Sequence, residues 1–295
     1  MTVETAKYET VGEVISGFMG YLGENGRSAN TLAAYRSEIS LLLALNAIDM
    51  SAPADSLRRI DQQLVEGYMT FMFRSPKTRS RRLASSRTFL KYCAQEGVVD
   101  YNPATGIRYP ETGETAPAFI TREDFEKMMV HIPRKRFKDI RDGCIISMGY
   151  REGLRPGEII KLKCGSIENA DRKGVLRLGR TRGDVEIGIS EGTLAEMDAY
   201  EGAYREKFHA HVCESPDSVY YVSSLGRPLG RRNILRYISQ LGEDALGRDD
   251  INPRTIHNGH IVGLIEKGLP VHDIVRLAGT TYDTVDMLKR AANLG

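Results

Sequence analysis

The strongest constraint in this sequence is a change of hydrophobic period partway along it. Up to about residue 105 the apolar residues recur at i, i+3, i+4 and i+7, the spacing of one helix face. Ile15, Phe18, Met19 and Leu22 form the first such face. Ser28 to Asn30 is a start signal for a second helix, with Leu32, Tyr35, Ile39, Leu42 and Leu43 inward. Asp61 opens a third, with Leu64, Tyr68, Phe71 and Met72 spaced alike, and Ser75-Pro76 stops it. Thr78 to Gln95 reads as a fourth, with Leu83, Phe89, Leu90 and Tyr92 as core candidates and Gly97 as its end. Four helices with short connections make a small α-bundle over residues 1–107.

Residues 108–118 lie in a stretch rich in Gly, Pro, Thr and Glu, the composition of a linker. From 119 onward the pattern is mixed. Thr121, with Asp124 three residues on, is a cap signal for a helix. A longer apolar helix covers roughly Asp139 to Glu152. Val175 to Leu178 and Val185 to Ile189 alternate around a turn at Arg180 to Asp184, which reads as a β-hairpin. Val219 to Val222 reads as a short strand, and helices are expected near 191–208, 230–243, 254–267, 270–278 and 281–292. The expected fold class is α+β: mainly α, with a small β-sheet in a second domain over 119–295.

Composition removes several alternatives. With 41% hydrophobic and 27% charged residues the chain is ordinary globular material, neither disordered nor collagen-like. No apolar run approaches the ~18–20 residues that span a bilayer, and MTVETAKYET carries no signal-peptide pattern. A cytoplasmic location and no membrane partner are therefore expected. The four cysteines, Cys93, Cys144, Cys164 and Cys213, are widely spaced and read as reduced structural thiols. His257 and His260, and His209 and His211, have no Cys or carboxylate at ligand spacing, so no metal is expected.

A net charge of +2 argues neither for nor against nucleic acid, but the distribution is uneven. Arg74, Lys77, Arg79, Arg81, Arg82, Arg87 and Lys91 fall within 18 residues that hold no acid. Arg227, Arg231, Arg232 and Arg236 form a second cluster. Such runs suit a phosphate backbone, although a solvated helix face has the same composition.

Several pieces of sequence, in order along nearly the whole chain, resemble the tyrosine recombinase (phage integrase) family. Ser28-Ala29-Asn30-Thr31-Leu32-x-x-Tyr35-Arg36, then Ser75 to Leu90, Gly97 and Asn102-Pro103, are similar to its core-binding domain, a SAM-like helical bundle. Arg141-Asp142-Gly143 followed by Gly153-Leu154-Arg155-Pro156-x-Glu158-Ile159 is similar to the stretch with its first catalytic arginine. The resemblance implies a site in which a tyrosine attacks a DNA phosphodiester, two arginines and a histidine hold the phosphate oxygens, and a hairpin lysine protonates the leaving oxygen. It implies no cofactor.

Carried over residue by residue, the family's pattern survives only in part. Arg155 takes the first arginine position. The hairpin lysine falls on Arg180, with Arg182 near, and a guanidinium keeps its proton at neutral pH. The His-x-x-Arg box falls on Arg254 and His257, in reversed order. The following histidine is Thr280, and the nucleophile, nine residues further, is Lys289. No tyrosine follows Tyr282.

The expectation is therefore a protein that clamps double-stranded DNA between two domains and is inactive in strand cleavage, nucleoid-associated, acting alone, with itself or with an active recombinase. Its expected DNA contacts are Arg36, Lys77, Arg79, Arg81, Arg82, Arg155, Arg182, Arg231 and Arg232. The alternative is an active recombinase with a rearranged site and Tyr282 as nucleophile.

Overall fold

The computed structural model describes residues 7–72, 75–111, 116–170, 173–180 and 183–294. Arg74, Arg182 and residues 112–115 of the expected linker lie outside these. The chain divides into two units, Met1–Glu114 and Thr115–Gly295, each with its own core. Among the described residues no helix is long and apolar enough to cross a membrane.

Unit 1 holds helices α1 (Val11–Glu24), α2 (Ala29–Leu45), α3 (Gln62–Thr70) and α4 (Pro76–Gln95), with a 3-10 turn at Ala54–Arg59. Each helix starts where a short polar side chain accepts a free amide: Thr10, Ser28, Asp61 and Ser75. Pro76 takes the first position of α4, where its missing N–H costs nothing, so this helix begins two residues before the expected Thr78. Phe18, Leu42, Leu83, Phe89 and Leu90 fill the core as expected.

The inner face of α3 differs from the expected one. Val65, Tyr68 and Met69 are buried, while Leu64, Phe71 and Met72 are exposed. The helix ends at Thr70, because Phe71 turns to extended ψ, so the stripe cannot continue to Phe71 and Met72.

Unit 2 contains α5 (Arg122–His131), α6 (Phe137–Tyr150), α7 (Pro156–Ile160), strands β1 (Ile167–Ala170), β2 (Lys173–Arg180) and β3 (Gly183–Ile189), then α8 (Glu191–Phe208), α9 (Arg231–Leu246), α10 (Pro253–Glu266), α11 (Val271–Ala278) and α12 (Tyr282–Ala291). The sheet is antiparallel in the order β1-β2-β3, with Leu178 opposite Val185 and Arg180 opposite Gly183. β1 was not foreseen. The expected strand Val219–Val222 is instead two isolated bridges, Val219 to Lys163 and Val222 to Pro228.

The main core gathers around α6, whose face Cys144, Ile145, Ile146 and Met148 is fully enclosed. A smaller core of Ile261, Val262, Ile274, Val275, Val285 and Leu288 holds α10, α11 and α12 together. The thiols also depart from expectation. Cys164 and Cys213 form a disulfide, leaving Cys93 and Cys144 buried and free. Their separation of 49 residues carried no pairing signal; the fold alone brings them together.

Candidate functional site

In unit 2, the start of α7, the end of β2, the start of α10 and the turn between α11 and α12 converge on one cavity of about 710 Å³. Arg155 is the N-cap of α7. Its backbone N–H donates to Glu158 Oε2 at 2.7 Å, and its Nη2 donates to Glu158 Oε1 at 2.8 Å. Its Nη1 donates to the carbonyl of Gly279 at 3.1 Å. These bonds hold the guanidinium from two sides and leave other N–H groups for a ligand.

The turn after α11 is built for this contact. Gly279 has φ +62°, a conformation that side chains rarely adopt. A Cβ there would lie 3.2 Å from both Arg155 Cζ and Arg180 Cδ.

Arg180, at the hairpin-lysine position, is buried. Its side chain is only 3% exposed. It turns inward from β2, donating to Glu158 Oε1 at 2.8 Å and Oε2 at 3.0 Å and to the carbonyl of Leu277. It is a strut that ties the hairpin to α7 and α11. Glu158 thus joins two arginines. Burial pushes its carboxyl up, but the hydrogen bonds from Arg155 and Arg180 outweigh this and hold it below the usual carboxylate range.

α10 starts at the Asn252 cap, with Pro253 in its first position. Arg254, exposed, and His257, buried, both line the cavity, as their i, i+3 spacing on one face requires. His257 Nδ1 is enclosed without a hydrogen-bond partner. Burial, with His260 and the arginines nearby, lowers its pKa to about 3, so the imidazole is neutral. His260 donates or accepts at Nδ1 with the carbonyl of Tyr150 at 2.9 Å, and burial lowers its pKa to about 4.

Arg155, Arg231, Arg254, His257 and Thr280 are thus brought together around the cavity. Lys161 and Arg177 line it too, although the sequence reading missed them. Among the described residues the wall carries five cations, Arg155, Lys161, Arg177, Arg231 and Arg254, and the carboxylate Glu158; Arg177 is also paired with Glu168 and, at 2.9 Å, with Glu186.

Lys289, half-buried on α12, and Arg232, exposed on α9, are not part of this wall. Thr284 lines the cavity, whereas Tyr282, two residues earlier and 56% exposed, does not. Two residues on a helix lie about 200° apart, so the two side chains leave α12 in different directions.

In unit 1 the basic run of α4 divides. Lys77 and Arg81 are exposed, as is Arg36 on α2, although Arg81 also pairs with Glu38 at 2.6 Å. Arg79 is half-buried, with Nε enclosed. Arg82 is 3% exposed, which corrects its reading as a DNA contact. Its Nη1 donates to the carbonyls of Tyr68 at 2.7 Å and Phe71 at 3.0 Å, and its guanidinium lies 4.9 Å from the Tyr68 ring. It holds the end of α3 against α4.

Comparison with known proteins agrees with this architecture. Residues 118–284 match the model of the phage integrase family. The tyrosine recombinase XerD of Listeria innocua serovar 6a is 24% identical over 282 residues, covering 90% of each chain. The tyrosine recombinase XerC of Haemophilus influenzae is 26% identical over 204 residues, covering 69% of this chain and 66% of its own. Two solved structures share the fold. XerH recombinase bound to palindromic difH substrate has a TM-score of 0.69 at 12% identity, covering 88% of this chain and 76% of its own. A lambda integrase dimer bound to a COC' core site has a TM-score of 0.66 at 15% identity, covering 97% and 77%.

Proposed function

Starting from a chain that belongs to the phage integrase family, we propose that it binds double-stranded DNA through the cationic cavity of unit 2 and does not cut it. The observation that carries this reading is the wall itself: among the described residues, five cations and one carboxylate around a neutral histidine, with no tyrosine in the lining. Non-bridging phosphate oxygens need cationic donors at fixed positions, and Arg155, held by Glu158 and Gly279, is such a donor. Arg231 and Arg254 add charge from two further helices.

Cleavage asks for more. The attacking oxygen must lie close to the phosphorus, and the leaving oxygen needs a proton. At the positions corresponding to the family's nucleophile and proton donor stand Lys289 and Arg180. Arg180 is engaged with Glu158, and a guanidinium is a poor proton donor, which argues against acid catalysis from it. His257, neutral and buried, suits hydrogen bonding to a phosphate oxygen better than proton transfer near pH 7. In this reading the two units engage the same duplex, unit 1 contributing Arg36, Lys77 and Arg81.

The test is a salt titration of duplex binding, followed by fluorescence anisotropy. If about eight phosphates are neutralised, log affinity falls against log salt with a slope near −7, at ~0.9 per phosphate for B-DNA. Arg155→Ala should make that slope shallower by about one. Binding that ignores salt, or no binding, overturns the proposal.

A further inference from the structure

The disulfide Cys164–Cys213 lies directly behind the cavity wall. Cys164 opens a single 3-10 turn, Cys164–Ser166, reached from α7 through Leu162. Leu162 and Ser166, on either side of it, both line the cavity. The other cysteine sits in the segment that follows α8, where no regular element forms between Phe208 and Arg231.

The wall segment rests on this irregular chain. Tyr220 N–H donates to the Leu162 carbonyl at 2.8 Å, Cys164 N–H to Ser218 at 2.9 Å and Gly165 N–H to Pro216 at 2.8 Å. A Cβ at Gly165 would lie 2.9 Å from Pro216 Cβ, so the two segments are in close contact. The covalent bond is the strongest link in this seam, and it closes a loop that contains the whole sheet and α8.

The chain's thiol chemistry is confined to this pair. Cys93 and Cys144 are fully buried. Burial pushes the Cys93 thiol up to about 12 and raises Cys144 as well, so neither supplies a thiolate for exchange. Cys213, in contrast, is exposed, and Cys164 is 7% exposed, so Cys213 is the more accessible end of the bond.

We propose that Cys164–Cys213 is a reversible covalent modification site, opened by dithiol reductants, that sets how firmly the wall segment 162–166 is held. A dithiol thiolate attacks Cys213 Sγ, and the Cys164–Cys213 bond breaks. Cys164 Sγ leaves as a thiolate and takes a proton. The second thiol of the reductant then closes its own disulfide and releases Cys213 as a thiol. Two electrons and two protons pass from the dithiol to the protein. The consequence for DNA rests on the function proposed above: a loosened wall binds duplex more weakly.

The test compares the intact protein with and without dithiothreitol. Alkylation and mass spectrometry should label Cys164 and Cys213 only after reduction, with Cys93 and Cys144 protected in the folded protein. Amide exchange at Cys164 and Gly165 should speed up at least tenfold on reduction, and the melting temperature should drop by roughly 5–15 °C. Cys213→Ser should behave as the reduced protein whether or not an oxidant is present. Equal exchange rates in the two forms, or a Cys213→Ser variant that matches the oxidised protein, overturn the proposal. If neither form binds duplex DNA the proposed function fails, while the exchange comparison still decides the staple.

Discussion

Arg155 and His257 face the same cavity and ask for different tests. Arg155 is partly exposed and spends two of its N–H groups on Glu158 and Gly279. If the proposed function holds, removing it takes a phosphate contact; Glu158 stays paired with Arg180, so Arg155→Ala should cut duplex affinity about tenfold or more with little loss of stability. Arg155→Lys should restore only part of the affinity, because an ammonium lacks the planar fork. Equal affinity of Arg155→Ala and the parent would remove Arg155 from the interface. His257 controls stability through pH. Its pKa is about 3 in the fold, against 6.5 for a free histidine. Below pH 6.5 the unfolded chain takes up the proton first, so the stability tied to neutral His257 is present above 6.5 and is lost as pH falls toward 3. The slope is ~1.4 kcal/mol per pH unit. Between pH 7 and pH 4.5 the unfolding free energy from urea titration should therefore fall further for the parent than for His257→Gln, by about 2–3 kcal/mol. Parallel pH curves would contradict the buried neutral imidazole.

The elements explain why neighbouring arginines do different work. Lys77 and Arg82 belong to one basic run on α4, yet the first is exposed and the second lies under the end of α3. Arg82→Ala leaves the Tyr68 and Phe71 carbonyls and Glu38 short of a partner, and should cost unit 1 about 2–4 kcal/mol by denaturant unfolding. Lys77→Glu should leave stability within about 0.5 kcal/mol and weaken DNA binding. The reverse pattern would mean that the faces of α4 are misassigned. At the turn after α11, Gly279→Ala should both strain the backbone and push Arg155 aside, lowering affinity severalfold together with a small drop in melting temperature. Most helix starts were legible in the sequence, because Ser28, Asp61 and Thr121 cap by short-range chemistry. Which face each helix buries was less so. The α3 stripe kept Tyr68 but runs through Val65 and Met69 in place of Leu64, Phe71 and Met72, and the inward turn of Arg180 depends on Glu158 and Leu277, which only the tertiary fold places beside it. The disulfide and β1 were illegible for the same reason: their partners meet through long-range packing.

At the scale of the whole molecule, a net charge of +2 conceals an uneven arrangement. Acids balance bases along the chain, but the cavity wall concentrates cations. Each unit has its own core, so charge reversal on one should weaken DNA binding without unfolding the other. Lys77→Glu and Arg254→Glu should thus reduce log affinity nearly additively if both units meet one duplex. A single variant, Lys77→Glu or Arg254→Glu, that binds duplex as tightly as the parent would take its unit off the DNA. The central claim is that a phosphate-holding cavity is present without the group that would break the strand. Its most direct test is electrophoresis of the protein with a pool of nicked suicide duplexes of random sequence, run natively and again in SDS. The expected result is a shifted complex in the native gel that dissociates fully in detergent. A detergent-resistant protein–DNA adduct, above all one abolished by Tyr282→Phe, would contradict it, as would the lack of any native complex.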